Sequence, residues 1–259
     1  RVYAAQIGVG GGIVFDSNPD EEFKECRLKA KFLLDAAPDF ALIETMLCVA
    51  GKIRYLSRHL RRLKASAEFF SIPCAPDKIQ SELKKYVFRL PGSIRLRLLL
   101  KPDGRIVLQH QILAAKSSFE PVIALSAHRT QSDDPFLFHK TTCRSLYDDE
   151  HRRFAEKGFF DVIFRNENDQ ITEGAISNIF IRSNHRYFTP PVSCGLLSGI
   201  GRHLLIKKLN AREKILYLPD LQKADQILLV NSIRGVTEVR LNCAQVFKQS
   251  GRPGKSALD

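Results

Sequence analysis

The sequence predicts an α+β protein of two lobes, preceded by a short front segment of different character. Three observations carry this. Apolar residues alternate with polar ones in some stretches and recur at helical spacing in others, without the regular strand–helix alternation of a parallel α/β protein. A polar stretch at residues 129–135 divides the main body into a smaller lobe, 37–130, and a larger one, 131–259. Residues 1–36 follow their own pattern, and Pro38 comes just after it. A chain of 259 residues suffices for one large domain or two modest ones.

The front segment contains IGVGGGIVFDS, an apolar strand interrupted by glycines. Asn18-Pro19-Asp20-Glu21 then reads as a helix start, with Asn18 as cap and Pro19 at the first position. Phe23, Cys26, Ala30, Leu33 and Leu34 give that helix an apolar stripe. The smaller lobe begins with the strand ALIETMLCV and a turn at Ala50-Gly51-Lys52. Amphipathic helices over 56–70 and 76–90 follow. SIRLRLLL and RIVLQHQIL flank the turn Pro102-Asp103-Gly104 and so form a hairpin, and VIALSA is a further strand. In the larger lobe, a helix over 147–157 is closed by Gly158. DVIFRN and ISNIFIR are strands around a turn at 166–170, a helix spans 202–209, and QILLVNS and VTEVRL are the last strands.

Hydrophobic residues make up 44% of the chain and charged residues 26%, as in ordinary globular proteins. No apolar run approaches the roughly 20 residues of a membrane helix, so no membrane partner is expected. The first residues lack a cationic start followed by an apolar core; they do not read as a signal peptide and look like the interior of a longer chain. Cysteines at 26, 48, 74, 143, 194 and 243 show no C-x-x-C spacing, so neither a zinc site nor a redox pair is suggested. Free thiols favour a reducing, cytoplasmic setting. The formal net charge is +12. Its Lys and Arg are spread along the chain and no nucleic-acid motif occurs. An anionic small-molecule substrate accounts for the excess at least as well as nucleic acid does.

Two glycine patterns fail as nucleotide sites. The run from Gly8 to Ile13 begins like G-x-G-x-x-G but has Ile13 in the third glycine's place, and no helix opens there. Gly251-Arg-Pro-Gly254-Lys255-Ser256 has two residues between its glycines where a phosphate loop has four. H-E-x-x-H and G-x-S-x-G are both absent.

Four segments together are informative: Phe138-His139-Lys140-Thr141-Thr142-Cys143-Arg144, ITEGAISNIF from Ile171, CGLLSGIGR from Cys194, and Val230-Asn231-Ser232-Ile233-Arg234-Gly235. Their order and spacing resemble the fold-type IV pyridoxal-phosphate family, which holds branched-chain transaminases, D-amino-acid transaminases and aminodeoxychorismate lyase. The resemblance covers about residues 40–245. It implies a two-lobed fold with pyridoxal 5'-phosphate as cofactor and Lys140 as the residue that carries it. A lysine acting as nucleophile and base must be neutral part of the time, which a partly buried site arranges. Glu173 would face the pyridine nitrogen and keep the ring protonated as an electron sink. Gly199-Ile200-Gly201 precedes a helix, so the amides around Ile200 and Gly201 can meet the cofactor's phosphate at a positive helix end. Ser232 and Arg62 match the family's other phosphate-binding positions.

Finer features resemble the lyases. Lys140-Thr141-Thr142, with Arg144 four residues after the lysine, looks like that group, whereas branched-chain transaminases have a Gly-rich stretch and a Tyr there. Tyr147 is seven residues after Lys140 and is not assigned to the cofactor oxygen. Thr45 aligns with a pocket-facing threonine of the lyases. Arg144 and Arg234 are candidate carboxylate partners, as is the backbone around Ile233 and Arg234. The front segment resembles the last stretch of chorismate-binding enzymes, particularly aminodeoxychorismate synthase component I. There the acidic helix helps hold magnesium, with Glu22 and Glu25 the candidate positions; most of that domain is missing, so no working metal site is expected. The resemblance implies the back end of a fused synthase–lyase that releases 4-aminobenzoate and pyruvate for folate synthesis. A homodimer is implied, with the rest of the synthase domain in cis and a glutamine amidotransferase subunit as further partners. The alternatives are a class IV transaminase on the same scaffold and a cofactor-less interaction domain.

Overall fold

The computed structural model describes residues 18–19, 21–22, 40–88, 90–113 and 121–242. The chain divides into two compact units, Arg1–Asp39 and Phe40–Asp259. In the first, Pro19, Glu21 and Glu22 are helical. The Asn18 carbonyl accepts the amides of Glu21 (3.1 Å) and Glu22 (3.0 Å), which places the helix start where Asn18-Pro19 predicts it. The glycine-rich strand, the apolar stripe, Glu25 and the pattern at Gly251 lie outside the described residues.

The second unit holds two sheets. The smaller is antiparallel in the order β2-β1-β3-β4, from β1 (Leu42–Val49), β2 (Lys52–Ile53), β3 (Ser93–Leu100) and β4 (Ile106–Ile112). One face is covered by α1 (Leu56–Phe69) and α2 (Pro76–Val87). Alternation decides which side is covered: Ile94, Leu96, Leu98 and Leu100 of β3 are buried with Leu63, Ala67, Ile79, Leu83 and Val87 of the helices. Leu63 alone, at 2% exposure, stabilises this layer by roughly 2 kcal/mol. The other face, with Thr45 and Arg97 paired across β1 and β3, is left for chemistry. The predicted hairpin turn ends on Gly104, whose φ of +82° and close approach to Pro73 (3.0 Å from an added Cβ) both require glycine.

The larger sheet has eight strands in the order β10-β9-β8-β11-β12-β5-β6-β7. They are β5 (Val122–Thr130), β6 (Asp161–Asn166), β7 (Ile171–Gly174), β8 (Asn178–Ser183), β9 (Arg186–Thr189), β10 (Arg212–Glu213), β11 (Gln226–Asn231) and β12 (Gly235–Leu241). Pairings β12–β5, β5–β6 and β9–β10 are parallel; the others are antiparallel. Among the described residues four α-helices accompany it: α3 (Pro135–Phe138), α4 (Ser145–Ala155), α5 (Ile200–Leu209) and α6 (Leu218–Gln222). Tyr147 and Phe154 of α4 pack on Val162 and Phe164 of β6, and Leu205 of α5 packs on Phe180, Leu228 and Val230. The two sheets thus give the mixed, two-lobed architecture of fold-type IV enzymes. Among the described residues no helix is long and apolar enough to cross a membrane.

Several boundaries differ from the sequence reading; the helix expected over 76–90 ends at Val87 and the strand VIALSA runs on to Thr130. The strand expected from Ile176 begins at Asn178. Residues 175–177 instead bend, because the Ser177 hydroxyl bonds the buried Asp161 carboxylate and the Gly174 amide reaches the Ser177 carbonyl at 2.7 Å. The helix expected from Arg202 starts at Ile200, which brings Gly201 into its first turn. The helix expected from Tyr147 starts at Ser145.

Candidate active site

One cavity of about 500 Å³ lies between the open face of the small sheet and the large sheet. All ten residues singled out from the sequence line it: Thr45, Arg62, Lys140, Arg144, Glu173, Ile200, Gly201, Ser232, Ile233 and Arg234.

Lys140 follows α3, whose start is capped by Asp134 accepting the Phe136 amide (2.8 Å). The lysine segment is then stitched to β1. The Lys140 carbonyl accepts the Ile43 amide (2.7 Å), Thr142 donates its amide to Ala41 (2.9 Å), and Thr141 bridges Leu42. The Thr142 hydroxyl also accepts the Ala41 amide at 2.9 Å. The side chain is therefore fixed at its root. Burial first, then the cations Arg144 and Arg62, lower the Lys140 pKa to about 7, against the weaker pull of Glu44 and Glu173. About half of the amine is therefore neutral at pH 7, the form that a nucleophile or base requires.

Glu173, on β7, is buried and accepts from the Asn178 side-chain amide (3.0 Å) and the Leu197 amide (3.2 Å). Burial raises its pKa to about 8 despite those donors and the nearby Arg144 and Lys140. Such a carboxyl holds a proton alone and ionises readily beside a cationic ring nitrogen. Asn178 orients it and also donates to the Leu197 carbonyl at 2.9 Å, tying it to the loop before α5.

The N-terminus of α5 forms another wall. A Cβ at Gly199 would lie 2.0 Å from the Asn178 side-chain oxygen, and one at Gly201 would lie 2.9 Å from Val230 Cγ2. Glycine is demanded at both, and the first-turn amides are left for an anion. Ser232 donates its hydroxyl to the Thr45 carbonyl (3.1 Å), so its proton is directed to β1. The Ile233 and Arg234 amides both donate to Asn231 Oδ1, at 3.0 and 2.7 Å. That turn therefore presents the Arg234 guanidinium, not free amides, as its available donor. Arg62 donates from Nε and Nη2 to Glu44, at 2.8 and 2.7 Å.

Sequence reasoning missed several residues here. Arg95 and Arg97 extend from β3 into the same cavity. Their alternation with the buried leucines of SIRLRLLL was the signal available. Tyr147, set aside for its spacing, is 7% exposed, lines the cavity, and has a hydroxyl with no hydrogen-bond partner among the described residues. Burial and Glu173 hold its pKa well above the usual phenol range, so it remains a proton donor. Glu44 and Asn178 were visible in the sequence only as an unremarked acid and amide in strands.

A partly neutral lysine, a buried carboxyl, a glycine-walled helix end and an unpartnered buried phenol suit a planar, phosphorylated, aldehyde-bearing ligand. Fold and site thus define an enzyme of the pyridoxal-phosphate class, with pyridoxal 5'-phosphate as its cofactor. The chain belongs to the class IV amino-transferase family, whose model matches residues 41–241. The model of chorismate binding enzymes matches residues 3–35. A "probable branched-chain-amino-acid aminotransferase" of Thermotoga maritima is 28% identical over 242 residues, covering 85% of this chain and 87% of that protein. A "putative aminodeoxychorismate lyase" of Schizosaccharomyces pombe is 28% identical over 202 residues, covering 75% and 87%. The crystal structure of a "putative amino-acid aminotransferase" from Mesorhizobium loti superposes with a TM-score of 0.74 at 31% identity, covering 79% of this chain and all of that one.

Proposed function

We propose that the chain is a pyridoxal-phosphate-dependent lyase that converts 4-amino-4-deoxychorismate into 4-aminobenzoate and pyruvate. The observation that carries this reading is the cluster of guanidinium groups at the cavity: Arg95, Arg97, Arg144 and Arg234. Arg95 is exposed, yet local packing and then Arg97, Arg234 and Arg144 pull its pKa below the usual range, with Asp148 opposing. Like charges gathered this closely repel, and a substrate with two carboxylates relieves them all. A branched-chain amino acid offers one carboxylate and an aliphatic tail. The chorismate-binding match at 3–35 adds support, because a neighbouring synthase segment is chemically consistent with a lyase that consumes an aminated chorismate.

When bound, the cofactor supplies an electron-withdrawing ring that acidifies the carbon carrying the substrate's nitrogen. Lys140 Nζ takes the proton from that carbon. Glu173 holds the proton at the ring nitrogen. The departing enolpyruvyl oxygen receives a proton from Lys140 Nζ or the Thr45 hydroxyl, both of which line the cavity. Arg144 is held by Asp148 (2.8 Å) and the Ala175 carbonyl (2.5 Å), and it presents its charge to a substrate carboxylate. Arg62 and the first turn of α5 hold the cofactor's phosphate.

A second reading, a class IV transaminase, draws on the 28% and 31% identities to proteins named as aminotransferases. The apolar side of the cavity, with Ile43, Ile112 and Leu113, would suit an aliphatic substrate. The test is pyruvate release from 4-amino-4-deoxychorismate with no keto acid added. Stoichiometric pyruvate and 4-aminobenzoate are expected; amine transfer that requires a keto acid, without pyruvate, replaces the lyase reading with the transaminase one.

A further inference from the structure

Behind Arg62 lies a buried polar cluster that the reaction itself does not use. Glu44 of β1 is 2% exposed and His59 of α1 is fully buried. His59 Nδ1 lies 2.6 Å from Glu44 Oε2. Arg62 comes three residues after His59, on the same face of the helix, and closes on Glu44 with two bonds. Burial pushes the Glu44 pKa upward, but Arg62 and then His59 outweigh it and hold it at about 2. Glu44 is therefore a carboxylate and can only accept, so Nδ1 of His59 must carry a proton and donate.

The rest of the imidazole is the unusual part. His59 Nε2 is buried and has no partner among the described residues. An unsatisfied buried ring nitrogen is disfavoured, and an apolar residue would pack α1 on β1 without that loss. The imidazole contributes one thing that an apolar residue lacks, a directed bond to Glu44. Glu44 in turn takes Nε and Nη2 of Arg62, while Nη1 makes no bond to the protein among the described residues. Arg62 also lines the cavity with Lys140 and Gly199. One edge of its planar fork is tied, and the remaining end is what a ligand can meet.

We propose that His59 and Glu44 are positioning residues that orient Arg62 toward the phosphate of the cofactor, so that the pocket recognises a phosphorylated ligand by a fixed guanidinium and not by loose positive charge. This rests on the reading of Arg62 as a phosphate ligand. The two are separable by comparing the dissociation constants of pyridoxal 5'-phosphate and of pyridoxal, which lacks the phosphate, on the full chain freed of cofactor. The constant for pyridoxal divided by that for pyridoxal 5'-phosphate reports phosphate recognition alone.

Arg62→Met should lower the ratio at least tenfold. Glu44→Gln and His59→Leu should lower it to a similar degree while leaving pyridoxal affinity within about twofold. His59→Asn keeps a side-chain N–H where Nδ1 stood and should restore most of the ratio. An unchanged ratio in Arg62→Met would overturn the reading of Arg62 itself. A ratio lowered in Arg62→Met but not in Glu44→Gln and His59→Leu would overturn the positioning role. Equal losses for both ligands in those two variants, or no rescue by His59→Asn, would make the pair structural and overturn it as well.

Discussion

If Lys140 is the nucleophile, the rate of cofactor attachment should follow its neutral fraction. The perturbation is a change of pH from 8 to 6. With a pKa of about 7, roughly nine-tenths of the amine is neutral at pH 8 and about one-tenth at pH 6, so the rate should fall about tenfold. An ordinary lysine, near 10.5, would fall about a hundredfold over the same interval and keep rising steeply above pH 8. The assay mixes cofactor-free protein with pyridoxal 5'-phosphate between pH 5.5 and 9 and follows visible absorbance. Each rate is divided by the rate constant of a free amine's neutral form at the same pH, which removes the cofactor's own titration and leaves that of the lysine. A midpoint near 7 followed by a plateau is expected. Arg144→Met removes the strongest nearby cation acting on Lys140 and should move the midpoint upward. A normalised rate still climbing tenfold per pH unit beyond 8.5 would refute the argument that burial and the flanking guanidiniums keep this amine neutral.

Borohydride reduction of the holoenzyme followed by peptide mapping should label Lys140, and Lys140→Ala should carry no label; a label elsewhere relocates the site. Glu173→Gln should retain cofactor but lower kcat on the order of a hundredfold, since an amide cannot balance a protonated ring nitrogen; unchanged turnover would remove Glu173 from the ring. Gly201→Ala forces a Cβ to within 2.9 Å of Val230 and 3.2 Å of the Asn231 carbonyl carbon. It should cost about 1–3 kcal/mol in denaturant titration and weaken retention of the cofactor. A chain beginning near Pro38 should keep cofactor and pyruvate release; loss of both in a folded protein would show that residues 1–36 belong with the main unit.

The long amphipathic elements were legible because their periodicity is clean. Residues 56–70 and 76–90 read as helices, and α1 and α2 cover most of both spans. The β3–β4 hairpin was marked by Pro102-Asp103-Gly104. Short elements carried too little pattern. β7 is four residues, all buried, so nothing alternates. β9 was missed although Asn184 and His185 both take positive φ, at 51° and 60°, the signature of a two-residue hairpin turn. The residues that the fold gathers around the cavity were legible as an ordered set of motifs, not one by one. Arg95 and Arg97 escaped because a strand's outward arginines look solvated until a second sheet faces them. Tyr147 escaped because counting along the chain from Lys140 says nothing about where the first turn of α4 points it.

Strand β1 is apolar toward both sides: Leu42, Met46 and Cys48 are buried with the helices, and Ile43 and Leu47 are buried on the opposite face. Hydrophobicity therefore does little to distinguish this strand from the same strand slipped by one residue, which would turn every side chain over. What distinguishes them is a single acid. In the observed pairing Glu44 meets Arg62 and His59, while Thr45 faces the cavity. Slipped, the carboxylate would enter the cavity beside Lys140 and the half-buried guanidinium of Arg62 would lose its acid. One ion cluster thus serves as the alignment mark for the strand. A one-residue insertion or deletion ahead of Glu44 would exchange the chemistries of the strand's two faces while leaving a sequence that still looks like a good β-strand.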